Sequence, residues 1–271
     1  MSNKYKLALC QFYSSKDKDE SLEKAAHYVN EAADGGAKVI ALPEMWNSPY
    51  VNAEFRNYSE EAEDGPSVEL MSDLARRNEV FLIGGSVPEL SDGKLYNTSY
   101  SFGPDGALIG KHRKVHLFDI DIAGGSRFRE SDTLSPGDKL TVIDTDFGRI
   151  GVAICYDVRF PAMFADMAAL GVHLIVLPAS FSESTGPVHW ELLLRARALD
   201  NQLYFAACAP ARDVTGVYKG YAHSLVINPW GEIIGAAALA ETVVYSDIDL
   251  DYMEQVRQEI PLLKQKRDYR I

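Results

Sequence analysis

Segments with strand-like and helix-like patterns alternate along most of the 271-residue chain. Residues 20–33 carry apolar side chains at helical spacing and end at a pair of glycines, and residues 66–78 repeat the pattern from a proline onward. Two more helices are predicted at residues 160–170 and 187–201. Strands are predicted between them at residues 6–12, 37–42, 80–84, 97–102, 106–110, 140–143, 149–154, 172–177, 202–207, 223–227 and 242–248. This alternation predicts an α/β fold.

Three turn-like stretches separate neighbouring predicted strands in the way that β-hairpins do. They are Gly-Pro-Asp-Gly at residues 103–106, Asp-Phe-Gly at residues 146–148 and Asn-Pro-Trp-Gly at residues 228–231. Because hairpins join antiparallel strands and helical connections join parallel ones, we expect mixed sheets. The chain shows no internal repeat, low-complexity tract or long linker, so we predict a single domain over residues 1–271.

The charge balance limits the kinds of partner that the chain can bind. The formal charge is -12, from 27 basic and 39 acidic residues, whereas nucleic acids and anionic membrane surfaces require a basic footprint. The amino terminus leads into a predicted strand without an apolar signal region, and no apolar run approaches the length of a membrane span. We therefore expect a cytoplasmic protein that binds neither nucleic acid nor membrane.

The chain has three cysteines, at positions 10, 155 and 208, which are too few and too scattered for a disulfide framework or a zinc site. Cys10 and Cys208 lie within strand-like runs and are interpreted as core residues. The six histidines form neither a known metal-binding motif nor a close cluster. We expect no metal and no other cofactor.

Cys155 occupies a position suited to a nucleophile. The residues before it have strand character, and those after it, as far as Pro161, resemble a turn into a helix. A side chain on such a turn is presented at the edge of a sheet, with backbone N–H groups directed at the group it attacks. The helix end is also expected to lower the thiol pKa from its free value of about 8.5. The alternative for this segment taken alone is an inert core cysteine.

Two other ionisable side chains follow predicted strands. Glu44 comes directly after residues 37–42, where open α/β sheets place reactive groups, and is a candidate general base. The alternative is a solvated loop glutamate. Lys114 lies in the basic segment 111–118 and shares one face of an extended chain with His116. Such clusters are usually solvated, but the apolar residues within this one predict partial burial.

The contexts of these residues, LPEMW, HRKVHLFD and GVAICYDVRFP, resemble in sequence and order the carbon–nitrogen hydrolase (nitrilase) superfamily. The resemblance runs nearly end to end and includes the segments GPVHWEL, RARALDN and NPWG. It implies a four-layer α-β-β-α sandwich with mixed sheets, formed by one carbon–nitrogen hydrolase domain. It also implies a homodimer paired through a helix face, with a small amide substrate and water as the other partners.

The resemblance further implies roles in amide hydrolysis through a thioester intermediate. Cys155 attacks the amide carbonyl, and Glu44 transfers protons as base and acid. Lys114 and the backbone N–H of Tyr156 stabilise the oxyanion. Glu130 matches a second glutamate that orients these groups in the family, with a surface loop carboxylate as the alternative.

Within the superfamily, the segments HRKVHLFDIDIAG, TLSPGD, TGPVHWELL and VYSDIDL are most similar to the omega-amidase branch. That branch hydrolyses the terminal amide of 2-oxoglutaramate and 2-oxosuccinamate. Deaminated glutathione amidase is the neighbouring alternative, and another amidase or a carbamoylase also stays open. Residues expected to contact the substrate are His116, Phe118, Arg129, Tyr156, Phe181, Thr185 and the backbone of residues 179–185.

Two other hypotheses remain open from the sequence. In the first, His112, His116 or His189 replaces the glutamate as the base of a Cys–His hydrolase. In the second, the chain is a non-catalytic scaffold with the same fold, against which the intact glutamate, lysine and cysteine argue. Beside the thiol, we expect Asp157 and Arg159 to form a structural pair that takes no part in the chemistry.

Overall fold

Two β-sheets stacked face to face form the centre of the molecule. The structure is a computed structural model that describes residues 3–123, 127–213, 218–265 and 267. The strands are β1 (Lys4–Gln11), β2 (Val39–Ala41), β3 (Glu60–Glu61), β4 (Phe81–Ile83), β5 (Val87–Ser91), β6 (Lys94–Phe102), β7 (Leu108–Arg113), β8 (Asp119–Asp121), β9 (Arg127–Arg129), β10 (Thr141–Thr145), β11 (Gly148–Val152), β12 (Val172–Pro178), β13 (Tyr204–Cys208), β14 (Leu225–Ile227), β15 (Ile233–Ala236) and β16 (Thr242–Asp249). The helices are α1 (Lys18–Asp34), α2 (Phe55–Tyr58), α3 (Pro66–Asn78), α4 (Pro161–Ala169), α5 (Gly186–Asn201), α6 (Leu250–Glu259) and α7 (Leu262–Gln265). Short 3-10 helices lie at Glu130–Asp132 and Cys155–Arg159.

Both large sheets mix parallel and antiparallel strands, as the sequence predicts. The first has the order β16-β1-β2-β4-β6-β5-β3, with β7 paired to β6. Its central strands β1, β2 and β4 are parallel, with Val39 opposite both Leu7 and Phe81. The second sheet has the order β10-β11-β12-β13-β14-β15, in which β11, β12 and β13 are parallel. β8 and β9 form a small separate hairpin.

Alternate side chains of a strand point to opposite faces of its sheet and so enter different cores. In β1, Leu7 and Leu9 lie between the two sheets, where Val152 of β11 joins them from the second sheet. Ala8 and Cys10 point the other way, toward the helices. All five side chains are fully buried, so the faces that meet between the sheets hold the two sheets together by burying apolar area.

Helices cover the outer face of each sheet. Ala25 and Val29 of α1 and Met71 of α3 pack on the first sheet. Phe164 of α4 and Leu194 of α5 pack on the second. The layers therefore follow the order helix, sheet, sheet, helix, which is the four-layer α-β-β-α sandwich that the family resemblance implies.

Most elements lie where the sequence patterns predict them. α3 has the predicted bounds, and the three predicted turns join β6 to β7, β10 to β11 and β14 to β15 in antiparallel pairs. The elements outside the predicted set are short or only partly buried, so their apolar pattern is weak. They include α6, which buries only Met253 and Val256, and β15, whose residues are all at least partly exposed.

The two cysteines assigned to the core are indeed buried. Cys10 lies among the residues between the first sheet and its helices, and Cys208 lies between the sheets. Within the described ranges, no helix is long and apolar enough to cross a membrane. Nor does that part of the chain hold a group of three or more His, Cys, Asp or Glu residues that could bind a metal ion.

Candidate active site

Cys155 lies at a sharp turn that follows β11. It is the first residue of the 3-10 helix Cys155–Arg159, and α4 begins shortly afterwards at Pro161. Its backbone φ is +44°, in the left-handed region that residues other than glycine seldom adopt. The side chain is only 3% exposed. The turn therefore presents the thiol at the carboxyl end of β11, as the sequence predicts.

Glu44 follows β2 and is held by donors from both sheets. Its Oε1 accepts hydrogen bonds from Lys114 Nζ at 2.9 Å and from Asn97 Nδ2 at 2.9 Å, and the hydroxyl of Tyr50 lies 3.5 Å away. Its Oε2 accepts one from the backbone N–H of Ser180 at 2.7 Å. Glu44 is 2% exposed. This excludes the alternative of a solvated loop glutamate.

The chain that follows Glu44 is fixed by the loop between β4 and β5. The N–H of Met45, which has a positive φ of 52°, donates to Ser86 Oγ at 3.0 Å, and the N–H of Trp46 donates to the Ser86 carbonyl at 3.2 Å. Gly85 has a φ of +60°, and a Cβ there would collide with the carbonyl oxygen of Pro43. Glycine is required at this close approach, which fixes the direction of the glutamate.

Lys114 immediately follows β7 and is completely buried. Its Nζ lies 2.9 Å from Glu44 Oε1 and 2.9 Å from both carboxylate oxygens of Glu130. Its own N–H donates to the Asn97 carbonyl at 2.8 Å, and its carbonyl accepts from the N–H of Gly137 at 2.8 Å. The lysine is therefore fixed at both its backbone and its ammonium group.

Glu130 is fully buried at the start of the 3-10 helix Glu130–Asp132, so it is no surface loop carboxylate. Besides Lys114, it accepts hydrogen bonds from the hydroxyl of Tyr50 at 2.7 Å and from the N–H of Phe118 at 2.7 Å. Every carboxylate oxygen thus has a donor, which is what a buried charge requires. The structure brings Glu130 to the position relative to Lys114 that the sequence predicts.

The buried charges shift one another's pKa values. Burial alone would lower the pKa of Lys114, but the carboxylates of Glu130 and Glu44 raise it well above its usual value. The pKa of Glu44 is also raised, because burial and the charge of Glu130 outweigh the attraction of Lys114. At neutral pH, Lys114 is therefore an ammonium, while Glu44 has a higher proton affinity than an exposed glutamate.

The expectation that the helix end would lower the pKa of Cys155 is wrong. Burial and the negative charges of Glu44 and Glu130 raise this pKa well above its usual value, and Lys114 offsets only part of that. The element that follows the thiol is a five-residue 3-10 turn instead of a long helix, so its dipole is small. The resting nucleophile is a thiol, and it needs a base to remove its proton.

Asp157 has partners other than the predicted Arg159. Its fully buried carboxylate lies 2.7 Å from the ring Nδ1 of His116 and 3.3 Å from Nε2 of His112, and it accepts a hydrogen bond from the N–H of Ile154 at 2.9 Å. The expected pair of Asp157 and Arg159 is therefore wrong, because two imidazoles and the backbone already surround the carboxylate. The same contacts direct both histidines toward Asp157, which disfavours either as the base for the thiol.

Arg159 is instead held by aromatic rings. Its guanidinium carbon lies 5.6 Å from the ring centre of Tyr156 and 5.3 Å from that of Phe181, and two of its nitrogens lie 3.3 Å from Nδ1 of His189. Its Nε is buried and has no hydrogen-bond partner among the described residues. Arg159 is thus a cation at the end of the 3-10 turn that begins with Cys155, and it contacts no carboxylate of the described residues.

Each of the six side chains predicted to contact the substrate has neighbours within the protein, and the ring of Tyr156 packs against Phe118 and Phe160. Arg129 is exposed and lies 3.7 Å from Asp132, while the hydroxyl of Thr185 lies 3.3 Å from Ser182 Oγ. The ring Nδ1 of His116 contacts Asp157, and the ring stacks on that of Phe160. The rings of Phe118 and Phe181 are buried against other aromatic residues. Their role in substrate binding stays a prediction.

A cavity of about 390 Å³ opens beside Glu44. Tyr50, Ser180 and Tyr218 line it together with Glu44. The other lining residues are Tyr13, Ser14, Ser15, Lys16, Glu20, Met45, Trp46, Pro49, Val51, Pro210, Ala211, Asp213 and Gly220. None of the six predicted side-chain contacts is among these described lining residues, and neither are Lys114, Cys155 and Arg159, whereas Ser180 of the predicted backbone segment 179–185 is. The cavity leads to the buried carboxylate and has room for a small substrate.

A sequence profile of the carbon–nitrogen hydrolase family matches residues 6–258. The chain belongs to the carbon–nitrogen hydrolase family. This hydrolase is 51% identical to an omega-amidase of Xenopus laevis over 98% of the chain and 96% of the relative. It is 48% identical to an omega-amidase of Homo sapiens over 97% of the chain and 95% of the relative. The crystal structure of Saccharomyces cerevisiae Nit3, a member of branch 10 of the nitrilase superfamily, matches with a TM-score of 0.91 at 43% identity, covering 98% of this chain and 97% of that one. Family and fold are thereby confirmed.

Several residues that surround the reactive groups of this carbon–nitrogen hydrolase were not predicted from the sequence. Tyr50 and Asn97 both reach Glu44, and Ser180 fixes the other oxygen of that carboxylate. Tyr218 donates to the carbonyl of Ser180 at 2.6 Å. The contact of Ser180 with Glu44 was not predicted, although Ser180 follows the predicted strand 172–177, at the edge where Cys155 also lies, and belongs to the backbone segment 179–185 expected to contact the substrate.

Proposed function

We propose that the protein is an omega-amidase, which hydrolyses the terminal amide of short 2-oxo dicarboxylic acid monoamides such as 2-oxoglutaramate to the keto acid and ammonia. The proposal rests on one contact in the site: Lys114 Nζ lies 2.9 Å from Glu44 Oε1, and both groups are buried together with the Cys155 thiol. The identity of 51% to an omega-amidase over nearly the full length of both chains supports this choice of substrate class.

In the acylation step, Glu44 accepts the proton of the Cys155 thiol while sulfur attacks the amide carbonyl carbon. The raised pKa of Glu44 makes it a better proton acceptor than an ordinary carboxylate. Lys114 and the backbone N–H of Tyr156 stabilise the oxyanion. Glu44 then gives the proton to the departing nitrogen, so that ammonia leaves and a thioester remains on Cys155.

Deacylation uses the same carboxylate a second time. Glu44 removes a proton from water, whose oxygen attacks the thioester carbonyl carbon, and the carbon–sulfur bond breaks to release the acid. The proton returns to the sulfur of Cys155. Glu130 keeps Lys114 in position through both steps, since the ammonium lies 2.9 Å from each of its oxygens.

We assign recognition of the substrate carboxylate to Arg159. A guanidinium forms bidentate hydrogen bonds with a carboxylate, and Arg159 is a cation beside the nucleophile turn without a carboxylate partner among the described residues. The rings of Tyr156 and Phe181 fix its plane. Arg159 is preferred to Arg129, one of the predicted contacts, whose exposed side chain lies 3.7 Å from Asp132.

We further propose that the protein is a homodimer paired through α5. Val188 and Leu192 lie one turn apart on this helix, and each is 67% exposed. Apolar side chains exposed together on one helix face are typical of a protein interface. Sedimentation should give a dimer, and the double variant Val188→Glu with Leu192→Glu should give a folded monomer.

Hydrolysis of a panel of compounds tests the substrate class, followed by release of ammonia or, for deaminated glutathione, whose amide nitrogen is substituted, by release of the amine. The panel contains 2-oxoglutaramate, succinamate, deaminated glutathione, an N-carbamoyl amine, a simple nitrile and a neutral amide. The expected order places 2-oxoglutaramate or succinamate first, with no release by the Cys155→Ala variant. A preference for deaminated glutathione would assign the chain to the neighbouring branch, and no release from any compound would reject an amidase.

A further inference from the structure

The hydroxyl of Ser180 is the unexplained polar group nearest to the base. Ser180 follows β12 and is 3% exposed. Its N–H donates to Glu44 Oε2 at 2.7 Å, and its carbonyl accepts from the Tyr218 hydroxyl at 2.6 Å. Its side-chain Oγ, in contrast, is buried and has no hydrogen-bond partner among the described residues. Both backbone polar groups of Ser180 are therefore hydrogen-bonded, whereas its side-chain hydroxyl is not.

A buried hydroxyl without a partner costs free energy, and native proteins usually satisfy it with protein, water or ligand. Ser99 on β6 also has a buried, unpartnered Oγ. The two serines differ in place, because Ser180 lines the cavity beside Glu44 and Tyr50, whereas Ser99 is not among the described lining residues. Among the described residues, the serines with a buried, unpartnered hydroxyl are Ser48, Ser99 and Ser180, and of these three only Ser180 lines the cavity.

The two oxygens of Glu44 are not equivalent. Oε1 is surrounded by Lys114, Asn97 and Tyr50. Among the nitrogen and oxygen donors of the described residues, only the Ser180 N–H donates a hydrogen bond to Oε2. The Cys155 thiol also hydrogen-bonds this carboxylate. Oε2 has fewer nitrogen and oxygen donors than Oε1 and is the oxygen assigned to proton transfer, and the residue that fixes it also carries the unpartnered hydroxyl.

We infer that Ser180 Oγ is a water-positioning group that accepts a hydrogen bond from the water that hydrolyses the thioester. This inference rests on the proposed function. In the step concerned, one O–H of the water transfers its proton to Glu44 Oε2 while the oxygen attacks the thioester carbon and the carbon–sulfur bond breaks. The second O–H donates to Ser180 Oγ, which directs the attacking lone pair. The serine itself gains and loses no atom.

Competition between two nucleophiles for the same thioester tests the inference. In the presence of hydroxylamine, succinamate, which has no ketone to react with the reagent, yields a hydroxamate in parallel with the acid, and the ratio of the two products depends only on steps after the thioester has formed. Replacing Ser180 with Ala removes the group that holds water, while hydroxylamine is a strong nucleophile in itself. We expect Ser180→Ala to raise the hydroxamate-to-acid ratio about tenfold and to lower kcat in the absence of hydroxylamine.

Ser99→Ala is the matched control, since it also removes a buried, unpartnered hydroxyl, and it should keep the wild-type ratio. Ser180→Gly, which removes the hydroxyl together with the Cβ, should agree with Ser180→Ala. A wild-type ratio in both Ser180 variants overturns the inference, as does an equal rise in Ser99→Ala. If the wild-type protein forms no product from any amide, the proposed function itself has failed, so the two failures are distinguishable.

Discussion

Asp157 fastens His116 through two contacts to one carboxylate oxygen: the backbone N–H of His116 donates to Oδ1 at 2.9 Å, and its ring Nδ1 lies 2.7 Å from the same atom. A carboxylate only accepts, so Nδ1 carries the proton. The other oxygen accepts from the N–H of Ile154, the residue before the nucleophile. One carboxylate therefore joins the turn of Cys155 to the segment of Lys114.

Replacing Asp157 with Asn should separate these two segments. An amide has one acceptor oxygen, so it cannot hold Ile154 and His116 at the same time. We expect kcat to fall at least about tenfold and the melting temperature to drop by several degrees. Asp144→Asn, at a side chain that is 84% exposed, should leave both unchanged. Unchanged kcat in Asp157→Asn would show that the contacts of Asp157 with these two segments do not contribute to catalysis.

Among the three cysteines, only Cys155 should be required for turnover. Cys155→Ala and Cys155→Ser should release no ammonia above background while keeping the wild-type circular dichroism spectrum. Cys10→Ala and Cys208→Ala should keep near-normal kcat, with melting temperatures lowered by the lost core packing. Steady-state turnover by Cys155→Ala would contradict the mechanism.

Glu44→Gln and Lys114→Arg should both be inactive. The glutamine cannot transfer protons, and a guanidinium is too large and differently directed for the space between Glu44 and Glu130. His189→Ala tests the Cys–His alternative, and it should keep kcat, because its imidazole contacts Arg159 and has no part in proton transfer. An active Glu44→Gln combined with an inactive His189→Ala would restore the Cys–His hypothesis, and kcat of each purified variant decides between them.

Substrate choice should depend on a carboxylate at the far end of the chain. We expect kcat/KM for 2-oxoglutaramate or succinamate to exceed that for a neutral amide of equal length by at least about tenfold, roughly 1.4 kcal/mol in transition-state binding. Arg159→Gln should abolish this preference, whereas Arg129→Gln should keep it. If Arg159→Gln retains full discrimination, the carboxylate is bound elsewhere.

The stability of the fold should fall on mild acidification because of His173. Burial and the nearby charge of Arg257 lower its pKa from 6.5 to about 4, and its Nε2 lies 2.7 Å from the Tyr5 hydroxyl. The unfolded state therefore binds more protons between these pH values, so stability decreases as pH falls through them, by up to about 3 kcal/mol. Urea unfolding at several pH values should show this slope, and His173→Gln should flatten it.

The parts of the site that the sequence predicts are those in which a residue lies shortly after the end of a strand. Lys114 immediately follows β7, and Glu44 and Cys155 come shortly after the ends of β2 and β11, where the carboxyl ends of strands in the stacked sheets meet at one edge. The contacts of Ser180 could not be predicted this way, because its N–H meets a glutamate 136 positions earlier in the chain across the two sheets. Sequence pattern does not record how one sheet is shifted on the other.

Burial also explains why the pKa of Cys155 and the partners of Asp157 differ from expectation. The sequence indicates a helix after the thiol but not the depth at which the thiol lies, and burial with two carboxylates determines its pKa. Asp157 and Arg159 are close in sequence and opposite in charge, yet the 3-10 turn directs them to different neighbours. Sequence proximity is a poor guide to pairing where the backbone turns sharply.

The positive φ of Cys155 means that the residue required for activity also lowers the stability of the fold. A left-handed backbone at a residue with a Cβ costs about 1 kcal/mol or more, and glycine removes that cost. A library selected for heat resistance alone should therefore enrich glycine at position 155 and lose all turnover. The cysteine persists in such a place only under selection for chemistry, which makes its identity a marker of an active enzyme among relatives of this fold.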